Sequence, residues 1–143
     1  MFESDFYALL TSDATLQSLL GNSASPVATR GDGKSGIFPV TLPSASTLPA
    51  IVWLIISGSS IDTLQGCNLT GRKRVQLDVY AAEYETAKAV FAELKNLLCG
   101  YRGATQSGGY ITSVIKNLEQ DVFEEVPLLF RAILDFSMLY TEP

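Results

Sequence analysis

The segment GRKRVQLDVYAAEYETAKAVFAELKNLL (Gly71–Leu98) decides the fold, because its hydrophobic period changes partway along. From Arg72 to Tyr80 the residues alternate. Val75, Leu77 and Val79 point one way and Arg74, Gln76 and Asp78 the other, as in a strand with one buried face. From Glu83 to Cys99 the spacing becomes three and four. Ala87, Val90, Phe91, Leu94, Leu97 and Leu98 form one stripe, with Lys88, Glu93, Lys95 and Asn96 off it. Glu83 and Glu85 suit the positive end of that helix, and Gly100 supplies a left-handed stop.

Working outward, Ala50–Ile56 is short, β-branched and aromatic between Pro49 and Gly58, which predicts a central strand buried on both faces. The glycine-containing link Ser57–Gly71 predicts a long hairpin. Ile37–Val40 reads as a brief extended piece, and Ser44–Pro49 as turn material. Toward the carboxyl end, Tyr110–Ile115 reads as a strand. Glu119, Asp121, Glu124 and Glu125 mark an acidic connector that ends at Pro127. The closing strand, Leu128–Tyr140, sets Phe130, Leu134, Phe136 and Met138 against Arg131, Asp135 and Ser137. At the amino end, Phe6, Leu9, Leu10, Leu16, Leu19 and Leu20 recur at helical spacing, with Ser4 as first cap and Gly21 as stop. Ser12 is a second cap that would split the helix in two. The expected fold is α+β: a mostly antiparallel sheet of four to five strands with two main helices on one face.

At 143 residues, the length prior gives a single domain over 1–143, with 21–36 as a long loop. Hydrophobic residues make up 47% and charged residues 17%, with a mean hydropathy of +0.21. That balance points to apolar surface covered by a partner. A net charge of −5 argues against a nucleic-acid groove built on a basic surface. Cys67 and Cys99 lack disulfide or zinc spacing and read as two buried thiols. The start Met1-Phe2-Glu3-Ser4-Asp5 lacks the basic flank of a secretory leader, so the sequon Asn68-Leu69-Thr70 reads as idle. The apolar run Ala50–Ile56 is far below the roughly 20 residues of a membrane span. A soluble protein with no membrane partner is expected.

Two motifs mislead. Gly33-Lys34-Ser35 ends like a phosphate loop, but the first glycine of that pattern is replaced by Ala28. Pro39 and Pro43 also forbid the helix that would hold the phosphate. Arg30-Gly31-Asp32 is a three-residue match in a glycine-rich stretch and carries almost no information. Catalytic candidates are equally thin. The chain has no histidine, which removes the commonest general base and metal ligand. Asp78 and Asp135 could approach as a carboxylate pair, yet Arg74 and Arg131 occupy the same faces, and cross-strand charge pairing accounts for all four. The run Arg72-Lys73-Arg74 reads as a solvated strand end or a salt-bridging edge. No enzyme activity and no cofactor are expected.

Three blocks then stand in order: LPAIVWLIISGS (Leu48–Ser59), GRKRVQLDVYAAEYETAKAVFAELKNLL (Gly71–Leu98) and DVFEEVPLLFRAILDFSMLY (Asp121–Tyr140). Together they resemble the tail completion family of long-tailed bacteriophages, which is similar to the lambda tail terminator. The stretch Gly21–Gly36 is longer than that pattern has before Ile37-Phe38-Pro39. The resemblance implies a structural virion protein at the head-proximal end of the tail, assembled in the host cytoplasm. It implies a homo-oligomeric ring, hexameric by analogy, that caps the tail tube, stops its polymerisation and meets the head connector. DNA would pass the lumen without specific binding. The alternative in the same class is a neck or head-completion adaptor; a small ligand-binding or enzymatic α+β domain is the reading from another class. The interface expected on this basis comprises the Gly21–Gly36 loop with Arg30 and Lys34, and the Ser57–Gly71 hairpin with Asp62 and Leu64. Arg72 and Arg74 adjoin it, and the acidic connector adds Glu119, Asp121, Glu124 and Glu125.

Overall fold

The computed structural model describes residues 2–21, 36–42, 48–66, 69–124 and 129–143, the side chain of Glu124 excepted. The elements run α1 (Phe2–Ser12), α2 (Ala14–Leu19), β1 (Ile37–Pro39), β2 (Ala50–Ser60), β3 (Thr70–Ala81), α3 (Tyr84–Leu98), β4 (Gly103–Ala104), β5 (Tyr110–Glu124) and β6 (Leu129–Thr141). The strands form one six-stranded sheet in the order β1-β2-β3-β6-β5-β4. β1 runs parallel to β2, and the other pairings are antiparallel.

The two periods of Gly71–Leu98 appear as read. Val75, Leu77 and Val79 of β3 are fully buried beside Phe136, Leu134 and Ala132 of β6. α3 lays Ala87, Val90, Phe91, Leu94 and Leu98 on that face. Glu83 precedes it in extended conformation, and Gly100 follows it at φ 75°. α1 and α2 complete the layer: Phe6 meets Trp53 edge-on at 5.5 Å, and Phe2 meets Tyr140 at 5.1 Å. One hydrophobic cluster therefore joins all three helices to the sheet.

Several expectations are corrected. Among the described residues the sheet has six strands rather than four to five and is mixed, with one parallel pairing, and three helices stand where two main ones were expected. β1 and β4 span only three and two residues, too few for a period to show. Pro39, lacking an N–H, suits an edge strand. The amino-terminal helix does divide, but Asp13 caps the second part instead of Ser12. The Ser12 hydroxyl donates back to the Leu9 carbonyl at 2.7 Å, whereas the Asp13 carboxylate accepts from the amides of Thr15 and Leu16. The first helix starts at Phe2, ahead of Ser4.

β2 is buried on both faces only from Ala50 to Trp53. Leu54 and Ile56 are exposed, and the strand runs on to Ser60 as one arm of the expected hairpin. The acidic connector is strand for much of its length. β5 continues through Glu119, Asp121 and Glu124, hydrogen-bonded along β6 as far as Glu124 opposite Leu129. Register shifts at Ile111/Ser113 and Lys116/Leu118 break its alternation, so no clean period advertises the strand. Cys99 is exposed at the end of α3, not buried, and Cys67 lies outside the described residues.

Candidate functional site

The sheet has one face under the helices and one open face, and cross-strand register decides what stands on the open one. Gln76 pairs with Asp135 and Tyr80 with Arg131, so Arg74 and Asp135, like Asp78 and Arg131, are diagonal neighbours on β3 and β6. Arg74 Nε donates to Asp135 at 2.9 Å, and Arg131 donates to Asp78 at 2.6 Å. Both carboxylates are buried at the centre of the face. Each is neutralised by its own guanidinium, the charge pairing that the sequence favours over a catalytic carboxylate pair. Around this polar centre stand exposed Leu54 on β2 and Ile115 and Leu118 on β5.

The expected interface residues fall into separate regions. Asp62 and Leu64 sit at the tip of the β2–β3 hairpin, where Leu64 is 108% exposed. Arg72 is exposed near that end of β3, and Arg74 is committed to Asp135 on the open face. Glu119 and Asp121 lean the other way, toward α3. Glu119 pairs with Lys116 at 2.6 Å and Lys95 at 2.9 Å. Asp121 pairs with Lys88 at 3.1 Å and accepts from the Tyr84 hydroxyl at 3.2 Å. Lys116 and Lys95 hold the Glu119 carboxyl down at about 2. These two carboxylates tie β5 to α3 within the subunit. Glu124 ends β5, and Arg30, Lys34 and Glu125 lie outside the described residues.

One feature escapes the sequence reading. Between the amino end of α3 and the β5–β6 hairpin lies a cavity of about 250 Å³, lined by Tyr84, Ala87, Phe123 and Phe130, with the paired Lys88 and Asp121 as its charged groups. Phe123 and Phe130 approach to 5.0 Å between centroids, and Tyr84 and Phe130 to 5.8 Å. Phe123 is 51% exposed and Tyr84 48%. A phenylalanine inside an acidic run and a tyrosine opening a helix hint at it, but only the fold brings them together.

Among the described residues, no cluster of His, Cys, Asp or Glu is arranged to hold a metal ion, and no helix is long and apolar enough to cross a membrane. The arrangement offers contact surfaces: an exposed hairpin tip, an aromatic groove and an open sheet face.

Comparison with known proteins bears on these surfaces. No curated protein matches the chain in sequence. Among solved structures the fold is similar to that of a protein in the virion of a native gene transfer agent particle, with a TM-score of 0.73 and 17% identity, covering 97% of this chain and 93% of that one. The family model described as tail completion protein gp17 matches residues 4–141, nearly the whole length over which helices, sheet and hairpins are laid out. The chain therefore belongs to the tail completion protein gp17 family of structural bacteriophage tail proteins.

Proposed function

We propose that this protein is a tail terminator: copies close into a ring of six that caps the finished tail tube, ends its polymerisation and presents its far side to the head connector. Its place would be the head-proximal end of the virion tail, with DNA passing the lumen unbound. The family match over residues 4–141 carries this reading. The distribution of surface supports it, since exposed apolar side chains stand at both ends of the long strands and on the open face. A ring requires two different patches that meet head to tail and close.

The test is the solution mass by light scattering across a range of concentrations, followed by tube assembly with and without the protein. A species of six times 15.5 kDa and tubes that stop growing are expected. A ring that leaves tube length unchanged would identify a neck adaptor instead.

A further inference from the structure

Resting on that ring reading, we propose that the sheet continues from copy to copy: the outer edge of β2 over residues 54–60 pairs antiparallel with the outer edge of β5 over residues 115–121 of the next copy.

Both edges are open among the described residues, and neither is guarded. β1 covers the outer side of β2 only from Ile51 to Trp53. Its ladder ends with the Val40 amide donating to the Trp53 carbonyl at 2.8 Å. Val40 then takes φ 67°, which a β-branched residue rarely adopts, and the Thr41 amide turns back to donate to the Pro39 carbonyl at 2.7 Å. The chain thus leaves the edge where it could have gone on pairing. Across the sheet, β4 covers β5 only at Tyr110 and Ile111, and the Gly100 amide reaches the Val114 carbonyl at 3.3 Å. From residue 115 on, β5 pairs with β6 alone among the described strands. Edges that are meant to stay single carry lysine or proline, or lie under a helix or loop. Residues 54–60 read LIISGSS, with neither charge nor proline, and all but Ile55 are exposed. On β5, Lys116, Glu119 and Asp121 are neutralised within the subunit, by one another and by Lys88 and Lys95 of α3.

Sense, offset and side chains all fit a second copy. Three antiparallel pairings lead from β2 through β3 and β6 to β5, so β2 and β5 run in opposite directions. A rotation that carries one copy onto the next therefore sets β5 beside β2 antiparallel and continues the alternation of the sheet. Within one copy Leu54 stands level with Leu118 through Gln76 and Asp135, and Ser57 with Ile115 through Arg74 and Ser137. Matching Ser60 to Ile115 instead shifts each copy by about three residues over its four long strands, a little under one residue per strand. A closed sheet staggered by about one residue per strand has its strands tilted by about 36°. The offset between the two open stretches is thus close to the one at which a continuous sheet closes on itself. Exposed Leu54 and Ile56 at one edge come onto the same seam as exposed Ile115 and Leu118 at the other, where cross-strand contact would bury them.

The experiment places photoreactive benzoylphenylalanine at position 56 of the full chain and maps the crosslinked peptides. Amide hydrogen exchange is compared between assembled and diluted protein. Ser59→Lys sets a charge on the β2 edge, and Ser18→Lys puts the same charge on an exposed position of α2 as control. Crosslinks from position 56 to residues 115–121 of another copy are expected, and assembly should slow exchange in 54–60 and 115–121 together. Ser59→Lys should raise the concentration for half-assembly roughly tenfold at an unchanged melting temperature, whereas Ser18→Lys should leave it where it was. Closed rings whose crosslinks and protection lie elsewhere, or Ser59→Lys rings that form normally, overturn the edge pairing alone. Crosslinks between 56 and 115–121 in open chains of copies would keep the pairing and overturn the closed ring. Crosslinks from 56 to 56, or a single copy at every concentration, would overturn both.

Discussion

Asp5 is the residue on which α1 is hung. Its carboxylate is buried and accepts from the Tyr140 hydroxyl at 2.6 Å, the Ser107 hydroxyl at 2.6 Å and the Ser107 amide at 3.1 Å. Burial alone would raise its pKa, but the hydrogen bonds from Ser107 and Tyr140 outweigh that and hold it at about 2 instead of 3.8. A carboxyl lowered on folding stabilises fully above its unfolded value and loses that contribution as pH falls toward the folded one. Glu119, lowered from 4.5 to about 2 by Lys116 and Lys95, has the same sign. Denaturant melts should therefore hold steady above pH 4.5 and weaken progressively from there toward pH 2. Asp5→Asn should cost about 1–3 kcal/mol at neutral pH, because an amide cannot accept all three donors, and should flatten the acid limb. An unchanged acid limb in that variant would show that Asp5 is not the group being titrated. Nothing around Asp5 in the sequence marks it, since Ser107 and Tyr140 lie more than a hundred residues away.

Among the elements, the β2–β3 hairpin depends on close approach of its arms. A Cβ added at Gly71 would stand 2.8 Å from the Ser59 carbonyl oxygen, which is backbone and cannot swing aside. Gly71→Ala should cost about 1–3 kcal/mol. Hydrogen exchange should show the lost protection confined to Ser57–Arg74, with α3 unaffected; uniform loss would mean that the hairpin is not a separable unit. The elements also differ in how plainly the sequence states them. β3 and α3 are legible because one apolar face each meets the core and leaves its period behind. β5 is not, because two bulges shift its register and its far half carries Lys116, Glu119 and Asp121 beside α3. β1 exists because Ile37, Phe38 and Pro39 find Ile51, Val52 and Trp53 to lie along, a long-range pairing that three residues cannot announce.

For the whole molecule, a net charge of −5 sets the expected dealings with DNA. The protein should show no retention of double-stranded DNA at physiological salt in a gel-shift titration. Binding that weakens steeply with added salt would point to a locally basic surface instead. The sequence by itself determined the α+β class, the strand-to-helix turn at Gly71–Leu98, the charge pairing of Asp78 and Asp135 with arginines, and the resemblance to tail completion proteins. Those properties live in local period and composition, which survive without knowledge of the neighbours. Only the tertiary structure decided that the acidic run is mostly strand tied to α3. It alone set the cap at Asp13, the gathering of Tyr84, Phe123 and Phe130 into one groove, and the burial of Asp5. Each of those rests on residues far apart in the chain, joined by sheet register and helix packing, and register is a property of pairs that no single segment contains.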